Sequence, residues 1–244
     1  MGLGRLDGKV ALITGGARGQ GEQEARLFAA EGARVVITDV LDDDGKQTAA
    51  DIGSSATFHH HDVTSEAEWT SVVDAVLAEH GQLDALINNA GIASMNHILL
   101  TPLATMQSIF ATNVFGTFLF CREAARLMSS AKVKGRIVNF ATVATPLKLE
   151  GEAAYAASKA AVVSLTEVLA RELAPLSITV NAVGPTPIET DLIRSVPKAK
   201  MDALIARQAV PRMGTMDDVS NVIDFFLREE SDFITGQVVY LGGV

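Results

Sequence analysis

The chain has 244 residues, 48% of them hydrophobic, with a net charge of −9 and a single cysteine. That length suits one large domain or two small ones and buries a core without crosslinks, Cys121 alone excludes an intrachain disulfide, and the acidic balance argues against a nucleic-acid partner. The first residues are too few and too polar for a secretory signal, and no uncharged apolar run of about 18 residues stands out, so the expectation is a cytoplasmic protein without a membrane span.

Residues 9–14 (Lys-Val-Ala-Leu-Ile-Thr) form a short, β-branched apolar run, the pattern of a strand buried on both faces of a parallel sheet. Gly15-Gly16-Ala17-Arg18-Gly19-Gln20-Gly21 follows, then a helical pattern over 20–30, then a strand over 35–38 closed by Asp39. Glycines in such a turn let backbone approach a pyrophosphate, and the helix start offers unpaired N–H groups and a positive dipole end. Asp39 is spaced to accept hydrogen bonds from a ribose 2′-hydroxyl and to repel a 2′-phosphate, which favours NAD over NADP. Arg18 is the counter-signal, because a basic residue in this turn can meet that phosphate.

Asp42, Asp43 and Asp44 suit the first turn of a helix reaching residue 52. A third strand spans 57–61. His59, His60 and His61 invite a metal hypothesis, but successive strand residues point to opposite faces, so they are read as structural, with no metal. Asp62 and Val63 fall past the C-terminal end of that strand, where doubly wound sheets bind ligands, and Asp62 suits an adenine amino group. Ser65 and Glu68 spell a capping box for a helix to about residue 80. A fourth strand over 83–87 is closed by Asn88-Asn89-Ala90-Gly91, small enough for a ligand to lie against the backbone. Pro102 opens a long helix to about residue 128. Asn113 sits inside it among phenylalanines and needs a partner: it is either a satisfied core amide or the mark of a helix distortion holding a water near Lys159.

An apolar run over 136–141 ends at Thr142, and a helix begins near residue 152. Tyr155 and Lys159 are four apart and share a helix face. A cation beside a phenol lowers its pKa from about 10, making Tyr155 a general acid/base and Lys159 its activator. Alone, a Tyr-x-x-x-Lys is a common accident; its surroundings give it weight. A strand over 177–183 leads to Pro185, Thr186, Ile188 and Thr190. Residues 187–214 read as a substrate segment, with Met201, Leu204 and Ile205 lining an apolar pocket. A helix over 217–228 and a strand over 237–241 close the chain. Strands and helices alternate throughout, which predicts one doubly wound α/β (Rossmann) domain over 1–244.

Taken together, these residues resemble the short-chain dehydrogenase/reductase family over nearly the whole chain. The resemblance rests on Gly15, Gly19 and Gly21, Asp62, Asn88-Asn89-Ala90-Gly91, Asn113, Tyr155, Lys159 and Pro185, in family order and spacing. It implies about seven parallel strands and hydride transfer between a nicotinamide and an alcohol or ketone. Tyr155 would be the proton donor or acceptor, Lys159 would hold the nicotinamide ribose, and Asn113 would support a relay water. Ile188 and Thr190 would contact the carboxamide. It also implies a homotetramer, or a homodimer, built through the two long helices and the last strand. The chain is similar to hydroxysteroid dehydrogenases in its N-terminal half and to 3-oxoacyl-carrier-protein reductases in its C-terminal half. Four positions depart from the family pattern: Thr142 for Ser, Gln20 for an apolar residue, Thr186 for Gly, and Leu241 for Asp. The expected function is an NAD(H)-dependent oxidoreductase interconverting a small-molecule secondary alcohol and ketone. A dinucleotide-binding regulatory or weakly active protein is the main competitor. A halohydrin-dehalogenase-like lyase is opposed by Lys159 and the intact glycine turn.

Overall fold

The computed structural model describes residues 4–188 and 196–244. The short β-branched runs become seven strands: β1 (Val10–Thr14), β2 (Arg34–Asp39), β3 (Ala56–His60), β4 (Ala85–Asn88), β5 (Arg136–Phe140), β6 (Thr179–Gly184) and β7 (Val238–Tyr240). All pair in parallel, in the order β3-β2-β1-β4-β5-β6-β7. The chain reverses its direction of winding between β1 and β4, which opens a crevice at their C-terminal ends.

Side chains alternate across the sheet. Val10, Leu12, Val36, Leu86, Ile137 and Val180 face one layer of helices. Ala11, Ile13, Val35, Ile37, Ile87 and Val138 face the other. Both faces are apolar, which is why the strands read as unbroken runs rather than alternating ones. The first layer is α3 (Glu66–His80), α5 (Thr117–Ser130) and, after the single turn α6 (Ala144–Leu147), α7 (Ala153–Leu173), with α3, α5 and α7 contributing Trp69, Phe120 and Ala170. The second is α1 (Gly19–Ala30), α2 (Asp42–Ile52) and α9 (Met216–Leu227), contributing Phe28, Ile52 and Phe226. In the middle of the sheet the Asn88 amide donates to Asn139 Oδ1 (2.8 Å) and to Cys121 Sγ (3.3 Å), and Asn139 donates to Thr166 Oγ1 (2.9 Å). Complete burial pushes the Cys121 thiol up to about 12.

Four expectations change. The helix predicted from Pro102 is interrupted: α4 (Leu103–Phe110) passes into a π-helical stretch, Ala111–Gly116, before α5 begins. Such wide turns are frequent at functional sites. Ser65 and Glu68 form no capping box, since the Ser65 side chain caps nothing. Instead Glu68 Oε2 accepts from Asp62 N (2.7 Å), because a tight turn ties Ser65 N to Asp62 O (2.9 Å) and brings that amide within reach.

The third strand stops at His60, and the three histidines diverge. His59 meets Glu79 (3.3 Å), His60 meets Asp42 (2.7 Å), and His61 is buried with ring centroids 4.4 Å from Trp69 and 5.0 Å from Phe120. Finally, Leu103–Ser130 and Ala153–Leu176 are each long and apolar enough by composition to cross a bilayer, contrary to the sequence expectation. Threonines, serines and alanines dilute the apolar residues there and hide the stretch from a search for a solid run. Both stretches help cover the sheet, and their outer faces leave Leu103, Phe115, Phe118 and Val168 exposed.

Candidate active site

A cleft of about 1510 Å³ opens at the C-terminal ends of the strands. At one end the turn after β1 contributes Gly15, Arg18, Gly19 and Gln20 to its wall. Gly15 has φ +62°, a left-handed conformation that glycine takes without strain. Gly21 lies just behind the wall. A Cβ there would overlap Gly15 O and lie 2.6 Å from Asn89 Nδ2, so only glycine keeps the turn this tight. Asn89 holds the arrangement from the β4 side, donating to Thr14 O (3.1 Å) and Gly15 O (2.8 Å). It also lines the cleft with Ala90 and Gly91. Asp39, at the end of β2, accepts from Ala17 N and Leu41 N (both 3.1 Å), which fixes its carboxylate at the cleft edge. Asp62 and Val63 continue that edge, with Asp62 Oδ1 accepting from Thr64 N (2.9 Å).

Backbone crowded too closely for any Cβ, at the start of a helix and beside a fixed carboxylate, fits a dinucleotide. Gln20 adds a feature the sequence did not expose. Its amide donates to Glu24 Oε1 (2.6 Å) and Met216 O (3.2 Å), pinning α1 to the start of α9. Glu24 is fully buried there, and burial pushes its carboxyl up to about 7.

At the other end stand Thr142, just past β5, and Tyr155 and Lys159 on α7. The Thr142 hydroxyl accepts from Ala144 N (3.3 Å). Burial pushes Tyr155 up to about 12, with Thr142 opposing the shift and the Glu152 charge adding to it. Burial also draws Lys159 down to about 8. The Lys159 ammonium donates to Phe140 O (2.8 Å), and desolvation is the largest influence on the phenol.

Asn113 does not line the cleft. Both alternatives foreseen for it hold in part: the amide is satisfied, and it sits in the π-helical stretch. Its Oδ1 accepts from Ile92 N (2.9 Å), and its Nδ2 donates to Ile92 O (2.9 Å) and Ser158 Oγ (3.0 Å). Ser158 in turn donates to Tyr155 O (2.7 Å). Ser158 went unnoticed in the sequence, where it is one small residue in an alanine-rich helix. It links the loop after β4 to the turn that carries Tyr155.

The remaining wall comes from the segment after β6. Pro185, Thr186 and Ile188 line the cleft, whereas Thr190 lies outside the described residues. Thr186 Oγ1 donates to Gln208 Oε1 (2.6 Å), and both residues are buried. Helix α8 (Lys198–Ile205) brings Met201 and Leu204 opposite Met95 and Leu147, giving this end an apolar lining. Ile205, expected with them, is not part of the wall, because successive positions on a helix face different directions. The described part of the segment is anchored by backbone bonds from Ala209 N to Gly243 O and from Val210 N to Gly242 O (both 3.0 Å).

A family model described as enoyl-(acyl carrier protein) reductase matches residues 15–243. The chain is 37% identical to a 3-alpha-(or 20-beta)-hydroxysteroid dehydrogenase of Mycobacterium tuberculosis, over 98% of this chain and 90% of the relative. It is 38% identical to a cyclopentanol dehydrogenase of Comamonas testosteroni, over 99% and 98%. Among solved structures, a 3-ketoacyl-(acyl-carrier-protein) reductase from Brucella melitensis complexed with NADH superimposes with a TM-score of 0.91, at 33% identity and 98% coverage of both chains.

Proposed function

Because the chain belongs to the short-chain dehydrogenase/reductase family and is an oxidoreductase, we propose that it interconverts an apolar secondary alcohol and its ketone with NAD(H). The observation that carries this reading is that Thr142, Tyr155 and Lys159 line one cleft with the glycine turn. A bound nicotinamide supplies or accepts the hydride. The chain's own residues do the rest. The Gly15–Gly21 turn and the start of α1 hold the pyrophosphate. Asp39 accepts from the adenosine ribose and favours NAD, with Arg18 as the opposing influence. Asp62 and Val63 border the adenine, and Asn89, Ala90 and Gly91 lie against the cofactor backbone.

At the reacting end, Thr142 hydrogen-bonds the substrate oxygen, and Tyr155 gives that oxygen a proton in the direction of ketone reduction. Burial keeps the phenol protonated at neutral pH, so its proton is available to the substrate oxygen. Lys159 holds the nicotinamide ribose, Asn113 positions the loop after β4 against the Tyr155 turn, and Pro185 and Ile188 border the carboxamide. The apolar lining from Met95, Leu147, Met201 and Leu204 supports a hydrocarbon-rich substrate. The exposed Leu103, Phe115, Phe118 and Val168 support a homotetramer that covers these helices.

The test is a fluorescence titration with NADH and with NADPH, followed by a panel of cyclic ketones. Tighter NADH binding and ketone reduction are expected, with Tyr155→Phe slowing turnover at least ~100-fold. Tighter NADPH binding refutes the role given to Asp39. Binding of NADH without turnover gives the regulatory reading, which the Lys159–Phe140 bond also favours; binding of neither overturns the proposal.

A further inference from the structure

The cleft wall carries a carboxylate that the reaction just described does not use. Glu152 lines the cleft at the start of α7, three residues before Tyr155, and is only partly exposed. Its carboxylate makes no hydrogen bond or ion pair among the described residues. The cation that acts on it is Lys200, on α8 across the cleft. Its charge in turn reaches the Tyr155 phenol. Resting on the reading of the site as a ketone reductase, we propose that Glu152 is a charge filter, a specificity-determining residue that admits neutral ketones and alcohols and disfavours those carrying a carboxylate near the reacting carbon.

An unpaired anion in a half-buried wall repels a second anion more strongly than it would in water, because the surrounding dielectric is lower. Retaining a group whose own ionised form is disfavoured by burial costs stability, so its place beside the phenol calls for a return in selectivity. Lys200 works against the filter: it offers an anionic substrate a partner, but from an exposed position on the outer wall where its charge is well screened. Lys148, Glu150 and Arg207 also border this end; Arg207 is committed to Leu147 O (2.7 Å).

The experiment compares kcat/KM for cyclopentanone and for the same ring bearing a carboxylate, with NADH, in wild type, E152Q, E152K and K200A. The ratio is taken within each variant, so a general loss of activity cancels. The wild type is expected to prefer the neutral ketone, E152Q to cut that preference about tenfold, and E152K to cut it further. K200A, an exposed change that leaves the core intact, is expected to raise it. A ratio unmoved by both E152Q and K200A overturns the filter while leaving the reductase intact. Failure of the wild type to reduce either ketone overturns the reductase reading and the filter together.

Discussion

His61 offers a quantitative test of how the fold treats a buried imidazole. Its ring is 1% exposed, packed against Trp69 and Phe120, and neither ring nitrogen has a hydrogen-bond partner in the described structure. Desolvation is the main cause that lowers it from 6.5 to about 4, against the opposing pull of Glu68 and Asp62, with His60 adding to the lowering. The folded state thus keeps the ring neutral over a range where the unfolded chain takes up a proton. Stability from this group is intact above the unfolded pKa and is lost as pH falls from there toward the folded value. The loss is about 2 kcal/mol between pH 7 and pH 5 and approaches about 3 kcal/mol below pH 4. His61→Leu fills the same aromatic niche without a titratable group or unpaired nitrogens. It is expected to be at least as stable as wild type at pH 7, because an unpaired buried polar group costs about 1–3 kcal/mol. The assay is urea unfolding at pH 7, 6 and 5, at fixed protein concentration. The gap between variant and wild type should widen by about 2 kcal/mol over that range. Parallel curves for the two proteins would refute the assignment of a neutral, unsatisfied imidazole.

Two further outcomes follow from close contacts. Gly21→Ala forces a methyl into backbone Gly15 O and into Asn89 Nδ2, which its bonds to Thr14 O and Gly15 O hold in place; NADH affinity should fall at least ~tenfold, as expected for a strained turn, and unchanged binding in the fluorescence titration would refute the close-packed cradle. Thr186→Gly strands the buried Gln208 carboxamide and should cost about 1–3 kcal/mol, read as a lowered melting temperature that Thr186→Ser restores.

Much of the fold was legible because parallel strands buried on both faces leave an unmistakable signature. Residues 9–14 and 35–38 read as strands for that reason, and the glycine turn between them was legible from its chemistry. Tyr155, Lys159 and Thr142 were legible as a group, and the structure brings them to one cleft. What was not legible depended on contacts between distant segments. The widened turn around Asn113 follows from its bonds to Ile92 and Ser158, 21 and 45 residues away. Lys159 meets Phe140 O through a bond spanning 19 residues, and no local pattern announces it. The missing capping box has a local origin, since Glu68 meets a different donor, Asp62 N, in the turn before Ser65. Glu152 read only as the start of a helix, because nothing in spacing tells that Lys200 stands across from it.

The buried Asn88–Cys121–Asn139 cluster has a practical consequence. A thiol held near 12 on α5, buried against the middle of the sheet, carries almost no thiolate at neutral pH, and thiolate is the species that alkylating reagents and oxidants attack. The native chain should therefore stay unlabelled by maleimide and need no reductant in storage. Any cysteine introduced at the rim of the cleft would be the one site where a dye attaches, so binding at the cleft can be followed by fluorescence without first engineering the native cysteine away.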